Sequence, residues 1–268
     1  MREVFKNDLF KLKRNTIILT FDNAASAQSV GMTRFGGSPD VPDDFEWPVY
    51  EDDELGESYP INFLAQFDCR ELSQYDVEGV LPTKNGLLSF FYDAEGQPWE
   101  GKNEAGGSIR VFWFENADDL KPAEYPDDFE EESCFPCMQI KMHNEGSYPG
   151  WEDYDLIQQD MSREMRNEYC DIRENVAGEE KENTSKLLGW ADVKQDTMLR
   201  TCDELIYGEE REDEVILDDW QLLLQLSTVE SDDFELMFAD EGSIYFYILK
   251  NDLKNRNFDR VCMILQGE

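Results

Sequence analysis

The octapeptide INFLAQFD, Ile61 to Asp68, returns in altered form 159 residues later as WQLLLQLS, Trp220 to Ser227. Each copy is a short apolar run of strand length with one glutamine set among apolar neighbours. With the period of two of a strand, Phe63, Ala65 and Phe67 share one face with their counterparts Leu222, Leu224 and Leu226. Leu64, Gln66 and Asp68 take the other. A carboxamide buried mid-strand costs about 1–3 kcal/mol unless it is hydrogen-bonded. Gln66 and Gln225 are therefore expected to tie a neighbouring loop to the sheet. The alternative is that they face a cleft between the two copies and hold a ligand.

Working outward, GLLSFFY from Gly86 aligns with GSIYFYI from Gly242, and GGSPDV from Gly36 aligns with LGWADV from Leu188. Three landmarks in the same order imply an old duplication, with pseudo-repeats at about 31–150 and 186–268. Thr16 to Phe21, SIRVFWFE (Ser108 to Glu115) and MQIKMH (Met138 to His143) add further β-rich segments. Val4, Phe5, Leu9 and Leu12 predict an N-terminal helix. Ile157, Met161, Met165, Tyr169, Ile172 and Val176 predict one long amphipathic helix over Glu152 to Val176. AGEEKENTS, Ala177 to Ser185, reads as an exposed connector. The expected fold is α+β: a predominantly antiparallel sheet built from two related β-rich repeats, with both helices, in a single domain spanning 1–268.

Between the first helix and INFLAQFD lies FGGSPDVPDDFEWP, Phe35 to Pro48. Gly36 and Gly37 permit positive φ, and Pro39, Pro42 and Pro48 each remove a backbone donor, so this is an ordered loop and not a central strand. Phe45 and Trp47 are available to pin it to the core.

These residues together resemble the bacterial YwqG-like family of uncharacterised proteins. The likeness rests on Gly36-Gly37-Ser38-Pro39-Asp40-Val41-Pro42 with Trp47-Pro48, Phe63-Leu64-Ala65-Gln66, and Gly86-Leu87-Leu88-Ser89-Phe90-Phe91. In the second half it rests on Leu187-Leu188-Gly189, Leu222-Leu223-Leu224-Gln225-Leu226 and Gly242-Ser243-Ile244-Tyr245-Phe246. The chain departs from the pattern at Trp190-Ala191, where the family commonly has a proline. The resemblance implies a mixed α and β domain in the cytoplasm of a bacterium and no established reaction.

Composition narrows the functions. There are 24 Lys and Arg against 61 Asp and Glu, a net charge of -37, which repels nucleic acid and anionic membranes and favours encounter with a basic protein or peptide. No signal-peptide pattern opens the chain, no run approaches the ~20 apolar residues of a spanning helix, and six dispersed cysteines fit a reduced, cytoplasmic protein. Cys134-Phe135-Pro136-Cys137 runs straight into a strand, the wrong context for a redox helix, and His143 is the sole histidine, so neither a metal site nor a cofactor is assigned. No nucleophile elbow or phosphate loop is present, and no catalytic residue is assigned. Two functions stay open. One is a non-catalytic interaction protein whose acidic segments (Glu51 to Glu57, Asp127 to Glu132, Glu209 to Glu214) form one face for a basic partner. The other is a small-ligand protein or weak enzyme with a cleft between the repeats, lined by Gln66, Gln225, Trp47, Trp190 and Tyr245.

Overall fold

The computed structural model describes all residues except 23–28, 53–55, 82–83, 128, 130–132, 179–182, 209–210, 213–215, 218 and 268. The chain opens with helix α1 (Arg2–Leu12) and strand β1 (Arg14–Asp22). It continues through β2 (Arg34–Phe35), β3 (Asp40–Val41), the hairpin β4 (Val49–Asp52) and β5 (Glu57–Pro60), and β6 (Asn62–Asp68). A one-turn helix α2 (Cys69–Leu72) leads to β7 (Leu87–Tyr92), β8 (Glu100–Lys102), β9 (Ile109–Phe114), β10 (Lys121–Pro122) and β11 (Met138–Ser147). Next come α3 (Trp151–Gln158), α4 (Arg163–Ala177), β12 (Ser185–Leu187), α5 (Leu199–Tyr207) and β13 (Trp220–Leu226). The small hairpin β14 (Val229–Ser231) and β15 (Phe234–Leu236), β16 (Ser243–Leu249), α6 (Lys250–Lys254) and β17 (Cys262–Gln266) complete the chain.

Eleven strands form one antiparallel sheet in the order β8-β17-β16-β13-β12-β1-β11-β2-β6-β7-β9. Its middle is the long β1–β11 pair, Arg14 to Asp22 against Ser147 to Gln139. On one side of that pair lie β12, β13, β16, β17 and β8, and on the other β2, β6, β7 and β9. The sheet curls until its edges nearly meet, giving an almost barrel-shaped molecule. Buried Asn103 fastens them: beside the β8 edge, its Nδ2 donates to the carbonyl of Val111 on β9 (2.9 Å) and of Phe258 (2.8 Å), while its Oδ1 accepts from the Val111 amide (3.2 Å). Bringing the edges together in this way shields them from pairing with other chains.

The inside of the curl is the main core, where Phe90 of β7 and Phe246 of β16 meet edge to face with ring centroids 5.2 Å apart. Strict alternation along the two glutamine strands is overturned here. Phe63 and Leu222 point outward, whereas Leu64 with Ala65 and Leu223 with Leu224 both belong to the inner core. The reason is a β-bulge in each strand: the pairing of β6 with β7 slips between Phe63 and Ala65, and that of β13 with β16 between Leu222 and Leu224. An extra residue on one strand resets the side-chain phase beyond it.

The single long helix is also corrected. It is two helices, α3 and α4, because Gln159 and Asp160 take positive φ (47° and 56°) and reverse the chain. The Asp155 carboxylate accepts from the Met161 amide (2.8 Å), and the Ser162 hydroxyl caps α4 by accepting from Met165 N (3.3 Å). The apolar stripe survives the break. Met161, Tyr169 and Ile172 pack with Phe5 and Leu9 of α1, and Tyr154 stacks on Tyr169 at 4.3 Å. Nor is this the only helix of the second half, since α5 carries Leu199 and Cys202 into a separate outer core. Much of the Ala177 to Ser185 connector lies outside the described residues. No helix among the described residues is long and apolar enough to cross a membrane.

Candidate functional site

The glycine and proline loop is built around close backbone approaches. Gly36 has φ +58°, and a Cβ there would lie 2.3 Å from the carbonyl oxygen of Pro136; the Gly37 amide donates to Phe135 O (2.9 Å). The Cys134 to Cys137 segment thus lies against the two glycines, which answers why they are there. Pro39 O accepts from Ala123 N (2.8 Å) and Pro48 O from Ile61 N (3.0 Å), while Pro42 O closes a turn with Phe45 N (3.2 Å). The loop is held at both ends.

Its centre is Asp40, almost completely buried. The carboxylate accepts from Arg34 Nη1 (2.9 Å), from Gly31 N (2.8 Å) and from Gln66 Nε2 (2.6 Å). Gln66 completes the ring: its Oε1 accepts from Asp40 N (2.9 Å), and its Nε2 also donates to Met32 O (2.9 Å). The same pattern recurs in the second half. Gln225 Oε1 accepts from Asp192 N (2.9 Å), its Nε2 donates to Asp192 Oδ2 (3.0 Å) and Thr184 O (2.8 Å), and Lys186 Nζ pairs with Asp192 Oδ1 (2.7 Å). Thr33 Oγ1 accepts from Asp68 N in one copy and Ser185 Oγ from Ser227 N in the other, each at 3.0 Å. Sequence reasoning found the glutamines and missed their ionic partners. The signal was present, because GGSPDV and LGWADV match at Asp40 and Asp192.

Both glutamines therefore face loop backbone with their amides engaged, and both are buried. Trp190 is buried too, its Nε1 donating to Leu12 O (2.7 Å) and its ring lying under the Arg14 guanidinium at 3.6 Å. Tyr245 is buried with its hydroxyl on Asp192 O (2.6 Å). Hence Gln66 serves one cluster, Gln225 and Tyr245 the other, and Trp190 packs beside Arg14, and none of them lies with Trp47 in the groove it lines.

Trp47 leads elsewhere. Half-buried, with Nε1 donating to Ile61 O (3.0 Å), it stands against Phe91 (5.7 Å), Tyr125 (5.3 Å) and Phe129 (5.6 Å). Phe45 meets Phe112 of β9 edge to face at 5.5 Å. These rings cover the outer face of β6, β7 and β9 and leave a groove of about 470 Å³ between the loop, β4, β9 and the turn at Gly106. Its walls include Phe45, Trp47, Val49 and Phe112, and its rim carries the exposed carboxylates Asp44, Glu46 and Glu51. Gly106, at φ +74°, makes room for one of them: a Cβ there would touch the Glu51 carboxyl carbon at 3.0 Å. One basic residue, Arg110, lies in the groove with its guanidinium over Phe112 at 5.0 Å. Of the acidic segments expected to converge, Glu51, Asp52 and Glu57 lie on the β4–β5 hairpin, while much of 127–132 and 209–214 falls outside the described residues.

Nothing in these sites forms a nucleophile with its base. His143 is exposed on β11 with Nε2 3.0 Å from Glu145 Oε1. Among the described residues no three His, Cys, Asp or Glu side chains are placed to hold a metal ion. One carboxyl is strongly perturbed: burial pushes Asp153 up to about 6, against the Thr197 hydroxyl that donates to it at 2.7 Å. It is buried on α3 against Thr197, apart from both clusters' ion pairs.

Fold and site thus define a mixed α and β protein on one curled antiparallel sheet, with an acidic aromatic groove on its outer face. The chain belongs to the family described as Domain of unknown function (DUF1963), whose model matches residues 33–267. That span runs from just before β2 through β17 and leaves α1 and β1 outside it. No curated protein matches the chain significantly.

Proposed function

We propose that the protein is a non-catalytic interaction module for a basic protein or peptide, acting in the bacterial cytoplasm, and that its family is the YwqG-like one. The observation that carries this reading is the groove, where an apolar floor that could bury a partner's side chain is rimmed by Asp44, Glu46 and Glu51. Local and global charge act in the same direction, since a -37 protein draws in cations from a distance and the rim then holds them.

The two halves are read as products of one duplication. Supporting this are the repeated Asp–Gln–cation clusters, the paired bulges and the contact of Phe90 with Phe246 at equivalent strand positions. On this reading β8 of the first repeat pairs with β17 of the second, and β1, which precedes both, lies beside β12, so the halves interlock as one domain.

The alternative, a small-ligand protein, would use the polar recess of about 90 Å³ beside Lys186 and Asp192, where β1, β11 and β12 come together. Salt separates the two. Association of a labelled arginine-rich peptide, followed between roughly 50 and 300 mM salt, should slow steeply if the acidic groove is the site, because the Debye length contracts over that range. A rate indifferent to salt and to Asp44→Ser, Glu46→Ser and Glu51→Ser combined would reject the reading.

A further inference from the structure

We propose that the groove receives an arginine side chain of the basic partner, and that the chain's own Arg110 holds that place in the free protein; this rests on the binding reading above. Arg110 is half-buried, its guanidinium carbon stands 5.0 Å from the centroid of the Phe112 ring in the groove wall, and Phe45 meets that same ring in a T-shaped contact. A guanidinium over an aromatic face is attracted by the ring quadrupole and sheds its weak hydration readily, more so than an ammonium. Three exposed carboxylates share the groove lining with this one cation, whereas the charge that acts on Arg110 itself, Asp259, is not part of that lining, so the rim's negative charge stays open to a second cation. Burial also lowers the proton affinity of Arg110, offset in part by Asp259.

The other half shows what this face of the sheet otherwise carries. Arg110 pairs with Phe91 as Cys262 pairs with Tyr247, and Phe91 and Tyr247 occupy matching positions on β7 and β16. Cys262 is buried in the outer core to which α5 contributes Leu199 and Cys202. A segment of the chain covers the second face, while on the first face a groove stands open with a guanidinium in it. An incoming arginine therefore meets a formed site whose resident is a like charge, and displacing that resident opposes binding.

The test is fluorescence anisotropy with a fluorescein-labelled Gly-Arg repeat peptide and its citrulline counterpart, which keeps the shape and loses the charge. The citrulline peptide is expected to bind at least about 10-fold more weakly. Arg110→Gln should tighten the Gly-Arg peptide by about 3-fold, the worth of one exposed cation–π contact and its charge, and Arg110→Lys should not tighten it. Should Arg110→Gln fail to fold, the parent protein supplies the readout. Its Arg110 Nε–H resonance, shifted by the Phe112 ring, should move toward the free-arginine position as peptide binds. Binding that depends on the rim carboxylates but is not tightened by Arg110→Gln, or leaves that resonance in place, overturns the placeholder alone. Equal binding of a Gly-Lys repeat overturns the choice of arginine. No binding, or binding indifferent to the rim, overturns the groove reading and this inference with it.

Discussion

The two outer faces of the sheet begin alike and end differently. On the second half, α5 with Ile216 and Leu217 packs over Leu222, Tyr245, Tyr247 and Ile264 in a buried core. On the first half an aromatic loop and the β4–β5 hairpin cover Phe63 and Phe91 but leave a groove beside Phe112. Their polar clusters diverge in the same sense. Arg34 and Asp40 are almost wholly buried, whereas Lys186 pairs with an Asp192 side chain that keeps 31% of its surface in solvent. One face is thus finished inside the molecule. The other keeps an open groove, and similar strands with the same bulge can carry either covering.

The largest effect should come from separating the halves. Because β12 docks on β1 and Phe90 packs on Phe246, the fragment 185–268 alone is expected to show no cooperative melt, and to regain one when co-expressed with 1–178. A cooperative transition in 185–268 by itself would break the comparison at its root. Next is Gly36→Ala, which must place a methyl against Pro136 O at positive φ and should cost about 3 kcal/mol or more in a urea melt.

Asp153 sharpens the contrast through pH. Its carboxyl is raised from 3.8 to about 6 in the folded protein, so its contribution to stability is full below pH 3.8 and is lost as pH rises through about 6. Asp153→Asn should gain on the parent across that window, by up to about 3 kcal/mol at neutral pH. Chemical denaturation at pH 4 and pH 7.5 checks the sign, and a difference that is flat or reversed would show that the carboxyl stays ionised in the fold.

The glutamines test the asymmetry directly. Gln66→Leu and Gln225→Leu should each cost about 1–3 kcal/mol, with Gln66 the costlier because it leaves a fully buried carboxylate short of a donor. Reversed order would mean that the second cluster, and not the first, holds its loop more firmly.

What the sequence disclosed and what it hid have physical causes. Strands rich in Phe, Leu, Ile and Tyr were legible at once. The bulges were not, because Phe63, Leu64 and Ala65 are all apolar and carry no phase to betray a slip. The break between α3 and α4 was masked by a stripe that keeps helical spacing across Gln159 and Asp160. Leu199, Cys202 and the Leu205-Ile206 pair did carry the spacing of α5, so that helix was available and overlooked. The groove could not have been found this way. Its walls come from residues 42–51 and 105–112, and no local periodicity links them.

The smallest effect on stability should belong to the groove itself: with all three rim acids replaced by Ser, the melting temperature should stay within about a degree or two, since exposed charges contribute little to folding. That silence makes the groove a clean place to look for binding. The most direct measurement is an NMR titration of the 15N-labelled protein with the Gly-Arg peptide at low salt. The Trp47 indole N–H and the Gly106 and Phe112 amides should move first, with Ser147 and Lys186 unmoved. Shifts gathered at the Lys186 recess, or none at the groove at saturating peptide, would contradict the groove reading.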